Sequence, residues 1–261
     1  MPSLDIQKAA LTLIEAEEAG RAVEPLTSRW PEFTVQEAYA VQDAALELRL
    51  ARGERVVGVK LGLTSPAKQQ RMNVSEPLVA WLTDRMLAEG DAPVPVDGYI
   101  HPRVEPEIVF TLAAPLAGPD VTREQAAACV GEVGVGLELI DSRYQDYRFT
   151  LPDVVADNAS SGRYVLGSAT RPLDAAPDLR TVSCRLTLNG AEAARGVGAD
   201  VLDDPLQALV FAAEVLGRRG LRIEAGWTVL TGGITDAVPV SSGDLVQAEF
   251  DGLGPVALRA G

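Results

Sequence analysis

The sequence predicts an α+β protein with a largely antiparallel or mixed sheet, and three features predict it. Helical periodicity dominates the chain before Gly53. After residue 54 the texture changes to short β-branched runs separated by Gly, Pro and Asp. The later helices do not alternate strictly with these runs, as a doubly wound parallel sheet would require.

Taken in order, Ile6, Ala9, Ala10, Leu13 and Ile14 recur at helical spacing. Trp30-Pro31 interrupts, and Thr34-Val35-Gln36-Glu37 has the form of a capping box, in which the threonine hydroxyl accepts from a free amide while the glutamate reaches back. Tyr39, Val41, Ala45, Leu46 and Leu48 continue that helix until Gly53. Strands are expected over 56–61, 108–112, 133–140, 164–166, 182–188, 227–230, 245–250 and 256–258, with Asn189-Gly190 as a hairpin turn because both positions tolerate positive φ. Two helices interrupt the strands. One starts at Thr122 with a box closing on Gln125. The other runs from Pro205 to about Arg219, with Asp204 as its cap and Gly220 after its end. The expected organisation is a helical segment, 1–54, and a β-rich catalytic unit, 55–261, forming one compact whole.

Composition narrows the function classes. Of 261 residues, 47% are apolar and 23% charged, the mix of a folded globular protein. The formal charge of −14 argues against nucleic acid and against an anionic membrane surface as partners. Cys129 and Cys184 make neither a disulfide framework nor a zinc motif, and fit a reducing interior. No apolar run is long enough to span a bilayer, and Met1-Pro2-Ser3-Leu4-Asp5 lacks a basic, then apolar, leader, so a cytoplasmic location is expected. The single histidine, His101, excludes a three-histidine zinc site within one chain.

The chemistry concentrates in His101-Pro102-Arg103-Val104-Glu105-Pro106-Glu107-Ile108. On a strand, Glu105 and Glu107 share a face; Ile108, Phe110 and Leu112 are expected on that face as well, and Val109 on the other. Paired carboxylates beside so apolar a run are costly unless a cation joins them, and hard oxygen ligands favour Mg²⁺, Mn²⁺ or Ca²⁺. Glu138, inside Val135-Gly136-Leu137-Glu138-Leu139-Ile140, offers a third carboxylate. The plainer alternative pairs each glutamate with Arg103, Arg143 or Arg148, or leaves it facing solvent. Lys60 is a lone cation in the apolar run Val56-Val57-Gly58-Val59-Lys60-Leu61. It reads either as a proton donor or anchor for a substrate anion, or as an edge lysine whose amine snorkels to water. Asp157-Asn158-Ala159-Ser160-Ser161-Gly162 and Thr231-Gly232-Gly233 could present hydroxyls and amides to a ligand, or be ordinary turns. Phosphate-binding glycine motifs and a nucleophile elbow are absent from the sequence.

Four ordered segments, Gly58 to Ser65, His101 to Ile108, Leu137 to Tyr144 and Val155 to Gly162, together with Leu230-Thr231-Gly232-Gly233 and Gly243-Asp244, resemble the hydratase/decarboxylase branch of the fumarylacetoacetate hydrolase superfamily. The resemblance implies a mixed β-roll or sandwich, oligomers, Mg²⁺ or Mn²⁺ on Glu105, Glu107 and Glu138, and Lys60 as the active-site lysine. It places substrate contacts at Leu61, Arg143, Asn158, Ser160, Ser161, Thr231 and Gly232, with Arg143, Arg148 and Ser160 as candidates for a distal carboxylate. The implied activity is metal-dependent decarboxylation of 2-oxo-3-hexenedioate (4-oxalocrotonate) to 2-hydroxypenta-2,4-dienoate and CO₂ in meta-cleavage catabolism of aromatic compounds. Pro106 between the glutamates and Asp141-Ser142-Arg143-Tyr144 favour it, and 2-hydroxypenta-2,4-dienoate hydratase is the alternative. A homo-oligomer and a complex with a cognate hydratase are the implied partners. Gly233 departs from the pattern, standing where a serine is common.

Overall fold

The computed structural model describes residues 4–72, 74, 76–88 and 92–261; the leader reading of Met1-Pro2-Ser3 therefore lies outside the described residues. Helix α1 (Ile6–Glu18) starts at Asp5, whose carboxylate accepts from Lys8 N, and buries the predicted Ala9, Ala10, Leu13 and Ile14. After the short α2 (Leu26–Arg29) comes α3 (Val35–Ala51), with the Thr34–Glu37 capping box formed in both directions. These helices make their own apolar cluster, which also takes in Leu78, Ala80, Tyr144, Val154 and Val155 from the later chain.

The strands follow as β1 (Val56–Gly62), then α4 (Pro66–Met72), β2 (Leu78–Thr83), β3 (Arg103–Leu112), α5 (Arg123–Cys129) and β4 (Val130–Ile140). Next come α6 (Leu151–Ala156), β5 (Ser161–Leu166), β6 (Ser183–Leu188) and β7 (Ala191–Val197). The chain closes with α7 (Pro205–Arg218), β8 (Thr228–Leu230), β9 (Val238–Pro239), β10 (Leu245–Phe250) and β11 (Gly254–Arg259). One sheet has the order β2-β1-β8-β3-β4-β5, with β9 also on β3; only β1 and β8 run parallel. The second, antiparallel, has the order β11-β10-β6-β7, and its β6–β7 hairpin turns at Asn189-Gly190 as predicted. The principal core joins both sheets and the apolar stripe of α7, from Leu206 through Leu209 and Ala212 to Leu216.

Three expectations are corrected. Strand β2 was not anticipated. It is buried along its whole length, so its run Leu-Val-Ala-Trp-Leu lacks the alternation that marks a half-exposed strand. Helices α4 and α6 also interrupt the strands, beyond the two expected; α6 is opened by a Thr150–Asp153 capping box, and Asp153 also accepts from Thr27 N and Oγ1 at 2.9 and 2.6 Å. Finally, β3 keeps regular register from Arg103 to Thr111. Ile108, Phe110 and Leu112 therefore turn away from the glutamates into the principal core. Val109 shares the glutamate face and packs with Leu230, Leu82 and Tyr164. Strand period two allows no other arrangement.

Candidate metal centre

The centre lies on one face of the larger sheet. Glu105 stands directly opposite Glu138 across the β3–β4 ladder, and Glu107 opposite Gly136, which has no side chain to compete for the space. Lys60 on β1 and Leu230 on β8 are paired in register, as are Leu230 and Val109, so all of these side chains share the face. Carboxylate oxygens of Glu105, Glu107 and Glu138 lie within 4.8 Å of one another. Like charges directly opposite on a ladder destabilise it, so the cluster needs a reason to exist.

Its electrostatics supply one. Glu107 and Glu138 are buried, at 0% and 1% exposure. Burial, and then the charges of Glu138 and Glu105, push the Glu107 carboxyl well above the ordinary carboxylate range, against the pull of Lys60 and of the Gly232 amide. Burial likewise raises Glu138, with Lys60 opposing. One Glu107 oxygen accepts from Gly232 N at 2.6 Å. The other, Oε1, is buried with no hydrogen-bond partner among the described residues. A buried carboxylate oxygen without a donor, facing two further carboxylates, fits a hard divalent cation with oxygen ligands.

Two lysines neutralise the remaining charge. Lys60 does not snorkel: it is 1% exposed, with Nζ at 3.0 and 3.1 Å from the Glu138 oxygens and 2.6 Å from the Ala159 carbonyl. Lys68, on α4, was not anticipated. Its Nζ donates to Glu105 Oε2 at 2.6 Å and to the Gly233 carbonyl at 2.9 Å. Nothing in the sequence near Lys68 marked it, because the pairing spans 37 residues. Neither lysine was among the arginine partners the plainer reading named. The Lys68–Glu105 pair packs closely against Gly233: a Cβ there would sit 2.1 Å from Glu105 Oε2 and 2.5 Å from Lys68 Nζ, so a larger residue would need these two side-chain ends to shift.

The remaining predicted contacts divide. Thr231 donates through Oγ1 to the Ile108 carbonyl at 2.9 Å, which fixes the end of β8 and aims the next amide at Glu107. Gly232 has φ of 104°, and a Cβ would meet Thr64 Oγ1 at 2.2 Å, so the position needs glycine. Ser160 reaches the cavity beside the centre, donating to Asp157 at 3.2 Å. Leu61 alternates away from Lys60 into the principal core. Asn158 does not face the cavity: it accepts from Trp81 N at 2.8 Å and donates to Trp81 O at 3.0 Å. That grip holds Asn158, Ala159 and Ser160 at φ of 48°, 52° and 57°, a turn that aims the Ala159 carbonyl at Lys60. Ser161 donates to Asn158 O at 2.6 Å within the same turn. Arg143 is tied to Asp157 and donates to the carbonyls of Asp141 and Ser161, each at 2.8 Å; it braces the strand ends rather than facing the cavity. Arg148 is not among the lining residues either.

The cavity above the centre is about 340 Å³. Lys60, Lys68, Arg103, Glu105, Tyr147 and Ser160 are among its polar lining residues, and Leu63, Leu78, Phe149 and Val154 among its apolar ones. His101 stands behind Tyr147, with ring centroids 5.5 Å apart.

The chain resembles known proteins over nearly its whole length. The family model described as fumarylacetoacetate (FAA) hydrolase C-terminal matches residues 55–259. Over 257 residues, 97% of this chain and 97% of the relative, the sequence is 38% identical to 2-hydroxyhexa-2,4-dienoate hydratase of Comamonas testosteroni. Over 244 residues, 94% of this chain and 92% of the relative, it is 39% identical to 4-oxalocrotonate decarboxylase of Pseudomonas putida. The solved structure of 4-oxalocrotonate decarboxylase from Pseudomonas putida G7, complexed with magnesium and adipate, matches over 100% of both chains with a TM-score of 0.95 at 37% identity.

Proposed function

The chain belongs to the fumarylacetoacetate hydrolase C-terminal family, and from that premise we propose that it is a metal-dependent carbon–carbon lyase that decarboxylates 2-oxo-3-hexenedioate to 2-hydroxypenta-2,4-dienoate. The observation that carries the reading is the buried Lys60 set against a three-carboxylate cluster, with Lys60 and Glu105 both lining a cavity sized for a small acid. Glu105, Glu107 and Glu138 would hold Mg²⁺ or Mn²⁺, which would supply Lewis acidity to the 2-oxo acid end of the substrate.

In the reaction the C5–C6 bond breaks and C6 leaves as CO₂. The electron pair passes through the C3–C4 double bond to the 2-oxo oxygen, giving the dienolate, which a proton converts to product. An ammonium has three N–H donors. Lys60 directs two of them, at Glu138 and at the Ala159 carbonyl, and lines the cavity. A third N–H is thus available to the developing oxyanion, as fixed charge or as proton donor. The Glu138 and Ala159 contacts keep this amine from swinging, so the stabilisation needs no reorganisation. Leu63, Leu78, Phe149 and Val154 give an apolar wall suited to a carboxylate that becomes neutral CO₂.

The 38% identity to a hydratase keeps water addition to 2-hydroxypenta-2,4-dienoate as the second reading. Supplying each compound separately to Mg²⁺-loaded protein distinguishes them. CO₂ from 2-oxo-3-hexenedioate is the expected result, and water addition to the dienoate without decarboxylation would overturn it. The reading includes a role in meta-cleavage catabolism, a cytoplasmic location, a homo-oligomer and association with a cognate hydratase; light scattering of the chain alone and co-purification with such a hydratase test the last two. Among the described residues, those lining the cavity all fall from Lys60 to Ala237, which supports treating 1–54 as a helical segment and 55–261 as the catalytic unit.

A further inference from the structure

Three cationic side chains line the cavity: Lys60, Lys68 and Arg103. The first two are each paired with a carboxylate, Lys60 with Glu138 and Lys68 with Glu105. Arg103 has no ion pair among the described residues; its guanidinium carbon lies 4.7 Å from the centroid of the Tyr147 ring. Stacking uses the face of a guanidinium and leaves its N–H edge available, in a planar fork matched to a carboxylate.

The shelf beneath Arg103 is built rather than incidental. The Tyr147 hydroxyl donates to the His101 carbonyl at 3.1 Å, and its ring contacts those of His101 and Phe149 at 5.5 and 6.4 Å. His101 N in turn donates to Asp141 at 2.5 Å. Asp146 and Tyr147 both adopt φ of 55°, a conformation that is costly for a non-glycine residue and persists only where the surroundings impose it.

Arg103 precedes Glu105 by two positions on regular β3, on the face that carries the centre. Two strand residues span ~6.8 Å. The carboxyl carbons of an extended six-carbon dicarboxylate lie roughly 6.4 Å apart at ordinary carbon–carbon bond lengths. Asp146 also lines the cavity; its charge penalises an anion that meets no cation, which favours a distal carboxylate beside Arg103.

We propose that Arg103, stacked on Tyr147, receives the carboxylate distal to the 2-oxo acid end and so selects dianionic over monoanionic ligands. This rests on the dicarboxylate reading above and names the residue that makes it specific. Because that carboxylate leaves as neutral CO₂, its ion pair with Arg103 is made in the ground state and lost along the reaction. Arg103 therefore lowers KM without raising kcat.

The test compares 2-oxoadipate with 2-oxohexanoate, which share a chelating head and chain length and differ in the distal carboxylate. Calorimetry on the Mg²⁺-loaded protein is expected to show the dianion bound about 10- to 100-fold more tightly, the worth of a charge-assisted hydrogen-bonded pair. Arg103→Met should erase the preference while leaving 2-oxohexanoate affinity within about threefold, and should raise KM for 2-oxo-3-hexenedioate with kcat undiminished. Arg103→Gln, which keeps polar packing on Tyr147, repeats the test should the methionine variant fold poorly. Equal binding of the two acids by the wild type, or a preference that survives both substitutions, would overturn the proposal. An Arg103-dependent preference without CO₂ release from 2-oxo-3-hexenedioate would sink the decarboxylase reading while supporting this one.

Discussion

Replacing Glu107 by glutamine should separate stability from function. Glu107 is fully buried, its carboxyl is pushed well above the ordinary range, and oxygens of Glu105 and Glu138 lie within 4.8 Å. At that separation two unit charges repel by about 3.5 kcal/mol at an effective dielectric of ~20. Lys60 and partial protonation of the cluster offset part of this. The glutamine carbonyl can keep the 2.6 Å bond from Gly232 N, and its NH₂ then occupies the place of the partnerless Oε1, facing carboxylates that can accept from it. A carboxyl raised on folding makes the metal-free protein less stable as pH rises from the ordinary carboxyl value through the folded one. Glutamine removes that decline. The metal-free variant should therefore match the wild type near pH 4.5 and exceed it by about 2–3 kcal/mol at pH 8. For a chain of this length that is an increase of roughly 5–10 °C in melting temperature. Mg²⁺ affinity should fall at least ~100-fold, as expected when a charged ligand is lost from a three-carboxylate set. Scanning calorimetry with and without Mg²⁺ at the two pH values measures both. A variant that melts below the wild type at pH 8, or that still takes up Mg²⁺ normally, would refute the account of the cluster as a cation site held at a cost to stability.

Other outcomes follow from neighbouring groups. Lys60→Met should lower kcat by about 10²- to 10³-fold, the usual worth of a preorganised donor at a developing oxyanion, and single-turnover measurement with Mg²⁺ saturating reads it. Binding of Mg²⁺ should release protons from the raised Glu107 and Glu138 carboxyls, so calorimetry in buffers of different ionisation enthalpy should show more release at pH 6 than at pH 8, with affinity rising with pH. Arg143→Met leaves Asp157, pushed up to about 6 by burial even beside the guanidinium, without its partner. Denaturant unfolding at pH 8 should register a loss of about 3–5 kcal/mol, smaller at pH 5 where Asp157 takes a proton.

What was legible in the sequence was whatever local chemistry enforces. The Thr34–Glu37 and Thr122–Gln125 boxes formed, as did the Asp204 cap and the Asn189-Gly190 turn, because each is satisfied within a few residues. The glutamates at 105 and 107 share a face because strand period permits nothing else, and the same rule sends Ile108 and Phe110 away from them. The tertiary structure decided which separated segments met. Strand pairing set Glu138 opposite Glu105 and Lys60 in line with Leu230; helix α4 delivered Lys68 to Glu105; the turn at Asn158 aimed a carbonyl rather than a side chain at Lys60; and Arg143 was drawn to Asp157, leaving the cavity wall to Arg103. Such pairings depend on sheet order and on which buried charge finds a counter-charge first, and these are properties of the folded whole rather than of any local run of residues.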